Sequence, residues 1–289
     1  MIEKNLYKDR SYSSCIHSAY ELMFTNFATI FRKTWLAALV YSAVVCLSVL
    51  FNSFSWMQLL LAVPVILGMS WLGASVVSML NDKPFKHNYI YCLQAVLSLA
   101  IIVILFSVII IMCGTVILLS LGNKSPEHFN SLYLASLSFI TLLFIIAAIP
   151  LSYSIMKYLV ESNDRIWSVL GKAYRKGWRY WGFITLVFIL CIIIIAVLYV
   201  VIGSPRLVIY LANQNNIYGL AFGDPNGLPD YFDTLNYIVS TVITFLSCYI
   251  NLWMFFVIYY VYGRIETRIK TKQKTINLNE TTKTAIYRP

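Results

Sequence analysis

Charge is what this chain has least of. Asp, Glu, Lys and Arg make up 12% of its 289 residues, where a soluble globular domain carries about 25%. No charged side chain falls near the middle of a long apolar segment. A charge there costs roughly 2.5–3.5 kcal/mol on insertion scales and marks a relay, a sensor or an ion pair, so the sequence offers none of those devices. Cysteine pairing is missing as well. Cys15, Cys46, Cys92, Cys113, Cys191 and Cys248 contain no C-x-x-C. They read as packed or lipid-facing thiols, with neither a disulfide framework nor a zinc site. The first thirty residues lack an apolar core followed by a small-residue cleavage site, so the first span is expected to serve as its own targeting signal.

Catalytic motifs are equally scarce. His17, His87 and His128 are scattered. There is no H-E-x-x-H, G-x-S-x-G or Walker loop, no D-D-x-x-D and no acid pair facing the membrane. The expectation is a protein that is not an enzyme and holds no cofactor or metal.

What the chain does have is apolar length. Hydrophobic residues are 60% of it, and six segments are long enough to cross a core about 30 Å thick as helices: 35–54, 56–80, 93–121, 132–160, 182–202 and 238–262. The fold class this predicts is an all-α, polytopic helical membrane protein. With the N-terminus cytoplasmic, 22 lysines and arginines sort to the inner side with two exceptions, Lys124 and Arg206. That is the positive-inside pattern, and the expectation is a bacterial inner-membrane protein with both termini on the cytoplasmic side. Three regions follow: a cytoplasmic N-terminus over 1–34, a six-span domain over 35–262 and a basic tail over 263–289. The net charge of +10 suits anionic headgroups, not nucleic acid, because the cations sit at the ends of apolar spans.

Two inner segments are amphipathic. Before span 1, Tyr20, Met23, Phe24, Phe27, Ile30 and Phe31 recur at helical spacing, followed by Arg32, Lys33 and Trp35. Before span 5, Ile166, Trp167, Leu170, Ala173 and Tyr174 precede Arg175, Lys176, Trp178, Arg179 and Trp181. Both read as helices in the inner interface, aromatics at headgroup depth and cations towards phosphate. Arg32, Lys33, Arg175, Lys176 and Arg179 are the lipid-headgroup candidates. Superposing Trp35 on Trp181 brings the two segments into register and suggests a repeating unit of amphipathic segment plus hairpin.

Other features are weaker. Pro64 and Pro150 fall inside spans, where proline kinks a helix and can open a transport site. An Asn-Asp-cation triplet follows spans 2 and 4 (Asn81-Asp82-Lys83 and Asn163-Asp164-Arg165), where Asn or Asp can cap the next helix. Small residues in Gly68-Met69-Ser70-Trp71-Leu72-Gly73-Ala74-Ser75 suit close packing, and Asn251 is an amide at buried depth. The outer loop over 203–236, from Gly203 to Asn236, starts with a helix signal at Ser204-Pro205-Arg206 and holds Asp224, Asp230 and Asp233, as an acidic turn or a partner surface. The stretch 271–289 reads as disordered.

The last span ends Tyr259-Tyr260-Val261-Tyr262-Gly263-Arg264-Ile265-Glu266-Thr267-Arg268. With the six spans and the basic aromatic helices, this resembles a broad group of prokaryotic membrane proteins of unknown function. It is similar in layout to the membrane domain of some glycerophosphodiester phosphodiesterases, whose tyrosine pair is followed by an acidic residue. Here Val261 or Tyr262 stands in that place. The soluble phosphodiesterase domain is absent from this sequence, so the resemblance carries no activity. The functional expectation is a non-enzymatic accessory or scaffold that gathers anionic membrane lipids or a membrane protein partner on a basic inner face. The alternative is a small transporter or permeation protein using the helices kinked at Pro64 and Pro150.

Overall fold

The structure is a computed structural model, and it describes residues 6–50, 55–81, 83–121, 126–161, 165–223, 227–229 and 231–286. Its elements are α1 (Tyr12–Thr25), α2 (Phe27–Leu50), α3 (Ser55–Leu80), α4 (Phe85–Leu121), α5 (Pro126–Val160), α6 (Ile166–Arg179), α7 (Trp181–Ala221) and α8 (Phe232–Ile286). No strand occurs among the described residues. Six of these helices are long and apolar enough to cross a membrane: α2, α3, α4, α5, α7 and α8. The protein is an all-α integral membrane protein. Its apolar surface is turned outward along the spans, at Ile104, Ile111 and Val200 for example, as a hydrocarbon solvent allows.

The chain divides into two compact units, Met1–Tyr89 with Leu186–Pro289, and Ile90–Thr185. In the first, α2 packs against α3 and α8, and α1 against α8. Gly68 of α3 lets the helices close up: a methyl group there would sit 3.4 Å from the Tyr41 Cα. The small-residue run thus packs as its composition suggests. Phe31 of α2 stacks on Tyr249 of α8 with ring centroids 5.6 Å apart, and the Thr34 hydroxyl donates to the Tyr249 hydroxyl. Between α3 and α4, Asn81 and Asn88 exchange amide hydrogen bonds of 2.9 and 2.8 Å. The Asn88 amide also lies 2.9 Å from the Ser78 hydroxyl. Asn81 therefore ties the connection together in addition to meeting the Lys83 N–H. Asp82, Asn163 and Asp164 lie outside the described residues. The backbone residue before α6 is Arg165, with no side-chain cap.

In the second unit, α6 lies along α5. Proline chemistry explains where. Pro150 has no N–H, so the carbonyl four residues earlier, at Ile146, loses its helical partner. The Trp181 indole N–H donates to that carbonyl at 3.3 Å, and the Tyr174 hydroxyl donates to the next one, at Ala147, at 2.9 Å. Gly177 of α6 rests on Pro150 itself: a methyl group at Gly177 would come within 2.8 Å of the Pro150 carbonyl oxygen. The same logic recurs in α7. Pro205 frees the Val201 carbonyl, and the Ser204 hydroxyl donates to it at 2.9 Å.

Several expectations change. Ser204-Pro205-Arg206 does not begin a helix. α7 continues through it to Ala221, because the freed carbonyl is satisfied locally. The stretch read as disordered is helical to Ile286. It continues the last spanning helix without a break, so no new helix has to be nucleated there. The amphipathic segment before span 1 breaks at Asn26, whose amide donates to the Leu22 carbonyl. Phe27, Ile30, Phe31, Arg32 and Lys33 therefore belong to the spanning helix α2. The other segment does form a separate helix, but it breaks at Tyr180, so superposing Trp35 on Trp181 does not align the two breaks. Among the described residues no amphipathic helix stands between α3 and α4. Asn251 is exposed, yet its amide still bonds the Tyr199 hydroxyl of α7 at 3.1 Å. Asp224 and Asp230 lie outside the described residues.

If Pro150 creates the acceptor that Trp181 fills, the two are energetically coupled. Trp181→Phe should destabilise the protein by about 0.5–1.5 kcal/mol. In a Pro150→Ala background, where the helix supplies its own N–H, the same change should cost clearly less. Thermal unfolding of the four proteins in detergent gives the coupling directly.

Candidate functional site

α6 is built in three stripes. At 100° per residue, Ile166, Val169, Leu170, Ala173 and Gly177 share one face, and all five are buried. Beside it runs an aromatic stripe at helical spacing, Trp167, Gly171, Tyr174 and Trp178. Trp167 and Trp178 are exposed. On the other flank stand Lys172, Arg175, Lys176 and Arg179, all exposed. The helix carries no Asp or Glu. Lys176 and Arg179 fall in its last turn, where a cation meets the negative end of the helix dipole. The Tyr174 and Trp178 rings lie 6.1 Å apart, and Trp178 and Trp181 6.3 Å. Burial pushes the Tyr174 phenol up, which keeps it a neutral donor to the Ala147 carbonyl.

Two cavities meet at this helix. One, of about 290 Å³, runs between α4, α5 and the aromatic stripe. The other, of about 330 Å³, is lined by Tyr174, Arg175 and Trp178. Arg175, Lys176 and Arg179 thus share one short helix, as their spacing predicts. Arg32 and Lys33 are exposed on α2, in the other unit. The arrangement suits an amphiphile: hydrocarbon beside aromatic rings, and an anion beside guanidinium.

A second junction was not legible as a site. The arm before α1 lies against the Tyr259–Arg268 stretch of α8. Leu6 is buried there. Gly263 makes room for it, since any Cβ at 263 would overlap the Leu6 carbonyl and side chain. Asp9 takes Arg264 Nε at 3.2 Å and Arg268 Nε at 3.1 Å. The Arg10 guanidinium lies 4.6 Å from the Tyr260 ring centre, and the Lys270 ammonium 4.3 Å from that of Tyr7. The Arg268 hydrogen bond, with Arg264 beside it, holds the Asp9 carboxyl below its usual range. Cys15, fully buried under the junction, is raised to about 11 by desolvation, so its thiol is inert at neutral pH. The sequence signal was Gly263 interrupting a tyrosine run, and its partner lies more than 250 residues away. A polar groove of about 490 Å³ runs beside the arm, lined by Asp9, Arg10, Ser14, Ser18, Glu21 and Tyr260 among others.

No group of three metal-ligating side chains occurs among the described residues.

Magnitudes rank the arm's contacts. The Asp9 carboxylate and the Arg268 head are about half exposed, and such pairs contribute about 0–1 kcal/mol. Truncating a buried leucine costs about 2–5 kcal/mol. Leu6→Ala and Gly263→Val should therefore release the arm, while Asp9→Asn should only loosen it. Hydrogen exchange of residues 6–11 reads this. A depressed carboxyl stabilises fully above its ordinary range, about 3.9. Its share is lost as pH falls through the lower folded value, so the native arm at low pH should match Asp9→Asn.

Comparison with known protein families, with curated proteins and with solved structures finds no match.

Proposed function

We propose that this is a non-enzymatic accessory or scaffold protein of a bacterial inner membrane, with both termini cytoplasmic. It gathers anionic lipid, or a membrane protein partner, through a basic inner face. The observation that carries the reading is α6: four exposed cations, no acid, and an exposed aromatic stripe on a helix anchored to α5 through Pro150. Basic residues near an anionic surface contribute about 1 kcal/mol each. In the other unit, Arg32 and Lys33 lie in the first turns of α2 beside exposed Phe31 and Trp35, and the charge pattern of the sequence reads them as inner residues too. Their long stems let the charged heads reach the headgroups from inside an apolar helix. The transporter reading gains nothing from Pro150, since the carbonyl it frees, at Ile146, is taken up by the Trp181 indole.

Neutralising Arg32, Lys33, Arg175, Lys176 and Arg179 to glutamine should strip most anionic lipid from the protein released gently from its membrane. Native mass spectrometry counts what stays. Unchanged retention in a correctly inserted variant would end the lipid reading, and a stoichiometric protein carried instead would favour the partner. The sidedness has its own test. A reporter fused after Gly122 should be active only outside and one after Lys272 only inside, and the reverse pattern would overturn the inner placement of the basic face.

A further inference from the structure

We infer that the second unit contains a built slot for one acyl chain of an anionic phospholipid, with the lipid's phosphate set against Arg175. This deepens the lipid reading above and rests on it.

The slot is the apolar cavity of about 290 Å³ beside α6. Ile102 and Phe106 of α4, Phe144 and Ala148 of α5, and Trp167 and Gly171 of α6 line it. Phe106 and Phe144 close one wall with ring centroids 4.0 Å apart. Gly171 borders it without filling it: the residue is exposed, and a methyl group there would meet nothing within 4 Å, so a larger side chain at 171 has room to enter the slot. Leu170, next to it in sequence, is buried and also lines the slot, and Ala173 is buried. In the stripe of Trp167, Gly171, Tyr174 and Trp178, position 171 alone carries no side chain.

Tyr174 lines this slot and also the second cavity, shared with Arg175 and Trp178. The two spaces therefore meet at one ring. That ring is held, because its hydroxyl is committed to the Ala147 carbonyl at 2.9 Å. Its polar atom faces protein, and its apolar face is left to a ligand. The path thus runs from hydrocarbon walls, past an aromatic ring, to a guanidinium. The chemistry of an occupant must change in the same order: an apolar chain, an interfacial linkage, an anion.

Charge complementarity chooses among amphiphiles. Lys172, Lys176 and Arg179 surround Arg175, and α6 has no acid to offset them. A zwitterionic lipid brings its own cation into that field, and an anionic one does not. An extended peptide fits poorly, since an apolar slot offers its backbone no hydrogen bonds.

The test uses the full chain in mild detergent, loaded with a mixture of phosphatidylglycerol and phosphatidylcholine and followed by native mass spectrometry. The expected result is one phosphatidylglycerol that survives delipidation. Gly171→Leu fills the slot and changes no charge, and leucine favours helix over glycine. It should lower that retention at least ten-fold, and so should Arg175→Gln. Full retention in Gly171→Leu overturns the slot while leaving the basic-face reading standing. Full retention in the five-residue neutral variant removes that reading itself. Equal retention of phosphatidylcholine by the unaltered protein also overturns the proposal. A second measurement does not depend on how a slot variant folds. Phosphatidylglycerol brominated in its acyl chain should quench the tryptophan fluorescence of the unaltered protein at least two-fold more than brominated phosphatidylcholine does. Equal quenching by the two lipids contradicts it.

Discussion

A backbone carbonyl in hydrocarbon has only protein to bond to, and much of this structure is arranged around the places where proline breaks that rule. Each proline inside a spanning helix leaves an acceptor without its N–H. At Pro205 the answer is local, a serine one residue earlier. At Pro150 it is distant, and that makes it architectural. The Ile146 and Ala147 carbonyls are met by Trp181 and Tyr174, which bracket the C-terminal half of α6. Gly177 then lets the helix settle on the proline itself. One missing hydrogen bond thereby fixes the register of the basic aromatic helix on its support, and with it the side on which the cations stand.

The sequence made the spans legible because hydropathy over twenty residues is a bulk property, insensitive to detail. Their ends were less so. Asn26 and Tyr180 break their helices by local hydrogen bonding, and neither stands out by composition. Lys33 and Arg179 look equivalent in sequence, yet one lies inside α2 and the other at the end of α6. Of the candidate residues, Arg175, Lys176 and Arg179 were readable from helical spacing alone. The cavity beside them was not, since Gly171 reads as a weakness in a helix until its neighbours on α4 and α5 are known. The arm was hidden for another reason. Leu6, Asp9 and Arg10 find their partners at the far end of the chain, and no local pattern announces such a pairing.

The two units use aromatic and cationic side chains differently. In the first, Arg10 and Arg264 are largely buried, Arg10 over Tyr260 and Arg264 near Tyr12. There cation and ring bind each other, which is worth about 0.5–2 kcal/mol per pair depending on desolvation. In the second, Arg175 and its neighbours are exposed and their rings stand in a separate stripe. The same residue types thus tie the arm to α8 in one unit and stand exposed beside an apolar cavity in the other.

The continuity of α7 through Pro205 has a consequence for the membrane itself. Its 41 residues extend about 60 Å at 1.5 Å per residue, roughly twice the hydrocarbon thickness. Apolar residues continue past the proline, through Leu207, Val208 and Tyr210, which are exposed. A hydrocarbon core does not hold such a helix whole: Arg206 and the run Asn213-Gln214-Asn215-Asn216 lie on its far half, and polar groups of that kind seek headgroups or water. The helix therefore carries its exposed apolar residues past Pro205 out of the hydrocarbon, where they meet the membrane surface and not the acyl chains of the core.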